Sequence, residues 1–152
     1  MVHEHDFQKN PELRDSQMAE LYFSSPHKQI FESFNARCIR VVDGDTINIE
    51  WKERDFPFKI RLAEIDAREL SEEGQEAKDW VRSRIEGENI RVEIDKNNRV
   101  GKFGRLLGTI MHKGISINDE LIRNGLALPF DQRNEGKIIS PVKNIEGIVK
   151  WP

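Results

Sequence analysis

Alternating apolar and polar residues predict three successive β-strands in the first half of the chain. The apolar run Cys38–Val42 gives the first strand, and Thr46–Trp51 alternates with a period of two to give the second. Phe58–Ala63 alternates in the same way and places its aromatic and aliphatic side chains on one face. Between the first two strands, Asp43-Gly44-Asp45 is typical of a tight turn, because Asp side chains bond their own backbone. The pattern therefore predicts three consecutive strands joined by polar turns.

The hydrophobic period changes to that of a helix after Ser71. Ser71 is a suitable N-cap, Gly87 is suited to end the helix, and the apolar residues between them recur at helical spacing. Two more strands and a second helix complete the pattern: Ile90–Ile94, Arg105–Met111, and a helix that begins at Ser116 and ends at Gly125. Five short strands with a helix after the third are typical of an oligonucleotide/oligosaccharide-binding (OB) barrel. We therefore predict an α+β fold, a five-stranded OB-fold β-barrel with two or three helices.

The segments outside this pattern predict a chain of three parts. Residues 1–35 are polar and contain two prolines, with one short helix predicted within residues 12–23. We interpret residues 1–35 as an N-terminal arm outside the main fold that docks a protein partner. Residues 36–130 are predicted to form the barrel and its helices. Residues 131–152 are predicted to be a divergent C-terminal tail, in which Pro141 and Gly147 favour a loop or a short strand.

Composition limits the class of protein. The 152 residues are 37% hydrophobic and 34% charged, and 24 basic against 27 acidic residues give a net charge of −3. The surplus acid lies in residues 1–35, which hold six acidic and three basic residues. Cys38 is the single cysteine, which excludes an internal disulfide and favours a buried residue in a reducing compartment. We find neither a signal peptide nor a run of about 20 apolar residues, so we expect no membrane contact and a cytoplasmic location.

Three pairs of charged residues lie in or beside the predicted strands: Asp43 with Asp45, Asp66 with Glu69, and Arg61 with Arg105. In a barrel that makes those strands neighbours, these groups would converge at one rim. Carboxylates, a backbone carbonyl and waters suit calcium, which accepts oxygen ligands in loose geometry. Guanidinium groups bind phosphate oxygens bidentately and stabilise a phosphoryl transition state, while a further carboxylate orients or deprotonates water. Each feature alone has a plainer explanation, a hairpin turn or a solvated charge, so the hypothesis depends on their order.

In that order and spacing, the motifs resemble the staphylococcal nuclease (thermonuclease) family. The resemblance covers residues 37–128 and depends on four segments: Val42–Thr46, Arg61–Glu69, Asp95–Arg105 and Ile117–Ala127. It implies calcium ligation by the carboxylates of Asp45 and Asp66 and by the backbone carbonyl of Ala67. Asp43 would hold metal-bound water.

The same resemblance implies roles at the phosphate. Arg61 and Arg105 would clamp it, and Glu69 would activate or orient the attacking water. Lys102 and Phe103 match positions that contact a terminal phosphate. The implied activity is calcium-dependent endonucleolytic hydrolysis of DNA and/or RNA to 3′-phosphate products.

The chain departs from the family pattern in ways that keep an alternative open. Ala67 and Arg68 stand where Thr and Pro are usual, and the segment from Glu69 to the helix is shorter. The positions of two base-stacking tyrosines fall near Asp131 and Arg133, with Phe130 as a substitute platform or a core residue, and no third helix is recognisable after residue 131. The alternative is a non-catalytic nucleic-acid- or protein-binding OB module that reuses the barrel.

Overall fold

The computed structural model describes residues 6–7, 9–67, 71–101 and 104–129. The predicted residues Glu69, Lys102, Phe103 and Phe130 lie outside this part of the chain, as do Arg68 and residues 131–152. The described strands are β1 (Phe34–Asp43), β2 (Thr46–Glu50), β3 (Phe58–Leu62), β4 (Ile65–Ala67), β5 (Asn89–Glu93), β6 (Leu106–His112), β7 (Ile115–Ser116) and β8 (Ala127–Pro129). The described helices are α1 (Asp15–Leu21), which continues into a 3₁₀ turn (Tyr22–Ser24), α2 (Ser71–Ile85) and α3 (Ile117–Arg123).

Five of the strands form a closed barrel. β1 pairs antiparallel with β2 and β5, β2 pairs with β3, and β5 pairs with β6. A parallel pairing of β3 with β6 closes the ring, with Ile60 opposite Leu106. Together with three helices, the closed ring confirms the predicted α+β fold of the OB type.

The core fills the barrel and the space under α2 and α3. Phe58, Ile60 and Leu62 are buried in β3 while Lys59 between them is exposed, as the alternation predicted. Helix α2 buries Ala77, Val81 and Ile85, four residues apart, and packs on β1. A Cβ at Gly108 in β6 would lie 2.6 Å from Val92 Cγ1, so the absence of a side chain at Gly108 makes room for buried Val92.

Three strands were not predicted, because they are too short to show a period. β4, β7 and β8 have three, two and three residues, and two or three positions cannot reveal alternation. β4 pairs with β8 in a small second sheet, and β7 extends the barrel sheet beside β6. β1 also begins at Phe34, four residues before the predicted start, because its first residues pair with β5.

The described part of the N-terminal segment (residues 6–7 and 9–33) packs on the barrel, whereas residues 1–35 were predicted to lie outside the main fold. Glu12 and Leu13 are 1% and 0% exposed, and Ile30 is buried with the barrel core. Glu12 forms ion pairs with Arg54 and Arg99, which lie in the β2–β3 and β5–β6 connections. These partners lie far from Glu12 in sequence, so a local pattern could not show that this acidic residue is buried. The domain boundaries and the docking role remain predictions.

Within the described residues, none of the helices has the length and apolar character required to cross a bilayer.

Candidate active site

The turn between β1 and β2 presents two carboxylates. Asp43 pairs with Thr46 across the turn, and its Oδ1 accepts a hydrogen bond from the Asp45 amide at 3.2 Å. The Asp45 carbonyl accepts a bond from the Leu62 amide at 2.8 Å. The turn is therefore fixed to the end of β3, and the Asp45 side chain is held in a largely buried position.

The two carboxyl groups of this turn differ in acidity. Burial, followed by the hydrogen bond with Asp43, raises the pKa of Asp45 to about 6 against the opposing charge of Arg61. Burial also acts to raise the pKa of Asp43. The hydrogen bonds of Asp43 with Asp45 and the charges of Arg105 and Arg61 outweigh this effect of burial, so the pKa of Asp43 is lowered. The pKa values of two neighbouring carboxyl groups move apart in this way because the charge on one opposes ionisation of the other. The pair therefore titrates as a unit.

Arg61 lies between the two carboxylates for which metal ligation was predicted. Its Nη2 is 3.5 Å from Asp45 Oδ2 and 3.7 Å from Asp66 Oδ1. Its Nη1 donates to the carbonyls of Leu62 and Ile65, each at 3.0 Å. The backbone of the β3–β4 turn therefore holds the guanidinium in place. The contacts of Nη2 with Asp45 and Asp66 are longer than typical hydrogen bonds, so Arg61 interacts with these carboxylates mainly through its charge.

Thr46 joins the second arginine to the same site. Its Oγ1 donates to Asp45 Oδ1 at 3.1 Å and accepts from Arg105 Nη1 at 3.4 Å. In the β2–β3 ladder Thr46 also lies opposite Arg61. Thr46 had no predicted role, although its position directly after Asp45 at the start of a strand was an available signal.

A short strand pairing fixes the position of Asp66 and Ala67. In the β4–β8 sheet, Asp66 lies opposite Leu128 and Ala67 opposite Ala127. This ladder restrains the backbone up to Ala67, the residue that stands where Thr is usual. Asp66 itself is half exposed, so its carboxylate faces solvent at the rim.

Asn118, which was assigned no role, holds the backbone behind the site. Its Oδ1 accepts from the Ile110 amide at 3.0 Å, and its Nδ2 donates to the carbonyls of Ala63 and Gly108 at 2.9 and 3.3 Å. Ala63 lies in the β3–β4 turn, where the carbonyls of Leu62 and Ile65 accept hydrogen bonds from Arg61. An asparagine in the first turn of a helix, directly after the apolar Ile117, was the available signal for such a role.

The structure thus brings together Asp43, Asp45, Arg61, Asp66 and Arg105 at one rim of the barrel. Among the described side chains, no three of the His, Cys, Asp or Glu type form a group that could hold a metal ion. The hard oxygen donors at this rim are the carboxylates of Asp43, Asp45 and Asp66. The resemblance assigned Asp45 and Asp66 to the metal, together with the backbone carbonyl of Ala67. Such donors suit a cation that completes its coordination with water, as calcium does.

Comparison with known proteins decides the family. The family profile described as staphylococcal nuclease homologue matches residues 59–142. The chain belongs to the staphylococcal nuclease homologue family. The match continues beyond residue 128, where the resemblance in the sequence analysis ended, into the predicted tail.

Curated proteins from several bacteria are similar to this chain. An uncharacterized endonuclease of Escherichia coli is 30% identical over 112 residues, which are 72% of this chain and 70% of that protein. An uncharacterized endonuclease of Haemophilus influenzae is 30% identical over 108 residues, 70% of this chain and 58% of that protein. Endonuclease YncB of Bacillus subtilis is 27% identical over 111 residues, 68% of this chain and 52% of that protein. The chain is accordingly a nuclease, an enzyme that hydrolyses phosphodiester bonds.

Proposed function

We propose that the chain is a calcium-dependent endonuclease that hydrolyses DNA and/or RNA to 3′-phosphate products. The observation that supports this most strongly is the position of Arg61 between the carboxylates of Asp45 and Asp66, within 3.5 and 3.7 Å. A phosphate-binding cation and oxygen donors for a metal thereby share one rim. The proposal also includes a cytoplasmic location and the docking of a protein partner through residues 1–35.

Asp45, Asp66 and the carbonyl of Ala67 would hold the calcium ion, and Asp43 would hold water beside it. Bound there, calcium would supply positive charge to a phosphate oxygen and lower the pKa of a water molecule. Carboxylates at a barrel rim can hold such an ion without a third ligating side chain, because calcium accepts backbone carbonyls and water.

The arginines would bind the scissile phosphate. Arg61 is anchored by backbone carbonyls, so its guanidinium is positioned before substrate arrives and costs little to order. Arg105 approaches from the other side of Thr46. Two fixed cations stabilise the transition state more than the ground state, because negative charge builds on the phosphoryl oxygens during attack. Glu69 would activate or orient the water, and Lys102 and Phe103 would contact a terminal phosphate.

Cleavage of a single-stranded DNA oligonucleotide with calcium, with magnesium and with chelator tests this proposal. We expect cleavage with calcium and none with chelator, and products that accept a 5′-phosphate but resist extension at the 3′ end until a phosphatase removes the 3′-phosphate. Asp45→Asn, which keeps the size of the side chain and removes its charge, should require more calcium for half-maximal rate. Cleavage of equal rate in chelator would contradict the metal requirement, and products with a free 3′-hydroxyl would contradict the proposed chemistry.

A further inference from the structure

A groove separates the N-terminal segment from the barrel beside Arg105. Its volume is about 190 Å³. The N-terminal segment gives one wall, and β3 with the start of β6 gives the other: Lys9, Asn10 and Glu12 face Lys59, Gly104 and Arg105. Enclosed sites for small ligands are larger, about 300–1,000 Å³, so this groove suits one part of an extended ligand. We name it the basic groove.

Three cations give the basic groove its charge. In the parallel β3–β6 ladder Ile60 lies opposite Leu106. The preceding residues of the two segments, Lys59 and Arg105, are therefore neighbours. Lys9 contributes the third positive charge from the opposite wall. Lys9 and Lys59 are both exposed, and within the described part of the chain neither ammonium group has a carboxylate partner.

The acidic residues near the basic groove do not cancel this charge. Glu12 lines the groove, but its carboxylate is buried and neutralised by ion pairs with Arg54 and Arg99. Asp6 accepts a hydrogen bond from the Lys9 amide at 3.1 Å, but it is not among the residues that line the groove. The groove floor therefore presents positive charge to a ligand.

Arg105 connects the basic groove to the candidate active site. Its Nη1 reaches Thr46 Oγ1 at 3.4 Å, while the same residue lines the groove. The opposite wall contacts the loop that carries Arg105, because a Cβ at Gly104 would lie 3.3 Å from Asn10 Oδ1. Arg105 therefore belongs both to the candidate active site and to the lining of the groove.

We propose that the basic groove binds the sugar–phosphate backbone of a single-stranded stretch of substrate beyond the phosphate held at Arg105. Lys59 and Lys9 each contact one further phosphate. The proposal depends on the proposed nuclease function, since that function places a phosphate at Arg105. Lysine contacts phosphate as a point charge and reads no base, so the groove adds affinity for longer strands without sequence preference. Its small volume favours one strand over a duplex.

Binding of a labelled 12-nucleotide single-stranded DNA in chelator, where the proposed enzyme does not cut, tests the groove apart from catalysis. The double variant Lys9→Gln/Lys59→Gln is compared with Lys52→Gln/Lys96→Gln, which removes two exposed lysines from other connections. We expect the first to bind roughly fivefold more weakly, the scale of two solvent-exposed ion contacts. The slope of log affinity against log salt should also become shallower by about 1.4, because each phosphate contact on a single strand contributes about 0.7. Equal affinity and equal slope in the two double variants would overturn the proposal that the basic groove binds the substrate backbone.

A cleavage assay with calcium separates the groove from the proposed function. The Lys9→Gln/Lys59→Gln variant should raise KM for the 12-nucleotide DNA by more than it lowers kcat. A wild-type protein that binds with the lysine-dependent slope and never cuts would contradict the nuclease function alone. If the wild-type protein cuts and both double variants have the same KM, the result would contradict only the proposed role of the groove.

Discussion

The carboxylate of Glu12 accepts a hydrogen bond from Arg99 at 2.7 Å, although 87 residues separate the two in sequence. Its other oxygen is paired with Arg54, and the Ile30 amide donates to Oε1 at 2.9 Å. The guanidinium of Arg99 also donates to the carbonyl of Leu13. One buried acid therefore ties the N-terminal segment to two connections of the barrel.

Loss of this acid should destabilise the protein. We expect Glu12→Gln to lower the free energy of unfolding by about 3 kcal/mol, because removal of one partner leaves buried charges uncompensated. Urea denaturation followed by circular dichroism measures the change. Glu20→Gln removes an exposed carboxylate of α1 and should stay within about 0.5 kcal/mol of wild type. Equal stabilities of the two variants would show that the buried ion pairs of Glu12 do not stabilise the fold.

Asn118→Ala should destabilise the barrel behind the active site. The substitution removes the acceptor of the Ile110 amide and the donor to the Ala63 carbonyl, whereas the Gly108 carbonyl still accepts from the Ala63 amide. Groups left without partners cost about 1–3 kcal/mol, so we expect a loss of roughly 2 kcal/mol in the same denaturation assay. Asn97→Ala, in the exposed turn after β5, is the matched control and should have almost no effect. A loss no larger than that of the control would contradict the positioning role.

Thr46 should matter for activity through its hydroxyl. Thr46→Val keeps the shape of the side chain but removes the hydrogen bonds to Asp45 and Arg105. We expect nuclease turnover to fall roughly tenfold, the value of one hydrogen bond of about 1.4 kcal/mol. Thr46→Ser keeps the hydroxyl and should recover most of the rate, which single-stranded DNA cleavage would measure. Thr46→Val with wild-type turnover would show that Thr46 does not position the site.

Cys38 should be inert in the folded protein. Burial raises the pKa of the Cys38 thiol to about 11. At pH 8 the thiolate fraction therefore falls about 100-fold below that of a free thiol with pKa near 9, and disulfide reagents should react only after unfolding in urea. Because folding favours the neutral thiol, the stability linked to this group decreases as the pH rises from 9 towards 11. Rapid modification of the native protein at pH 8 would contradict this account.

Periodicity in the sequence predicted the barrel because its strands have five or more residues and alternate. Phe58, Ile60 and Leu62 face inward as expected, and Ser116 caps α3 by accepting a bond from the Asp119 amide at 3.0 Å. The three shortest strands could not be predicted, since two or three residues carry no period. Gly87 and Gly125 follow α2 and α3 with positive φ, as glycines that end helices do.

The candidate site was predictable for a different reason. Asp43, Asp45, Arg61, Asp66 and Arg105 were found from motif order, and the structure places all five at one rim. Contacts between distant segments were not predictable: nothing near Glu12 in sequence indicates Arg99, and nothing near Asn118 indicates Ala63. Such buried polar contacts are determined by how the segments pack, which local patterns do not record.

The central claim is that Arg61 and its neighbouring carboxylates form the active site of a nuclease. The most direct test is the turnover of single-stranded DNA in calcium by Arg61→Ala and by Arg91→Ala, which removes an exposed arginine of β5 beside Glu93. We expect Arg61→Ala to lose roughly 100-fold or more in turnover, as removal of one fixed transition-state donor does. Arg91→Ala should cut at the wild-type rate, with both variants folded by circular dichroism. Equal turnover of Arg61→Ala and Arg91→Ala would contradict the claim.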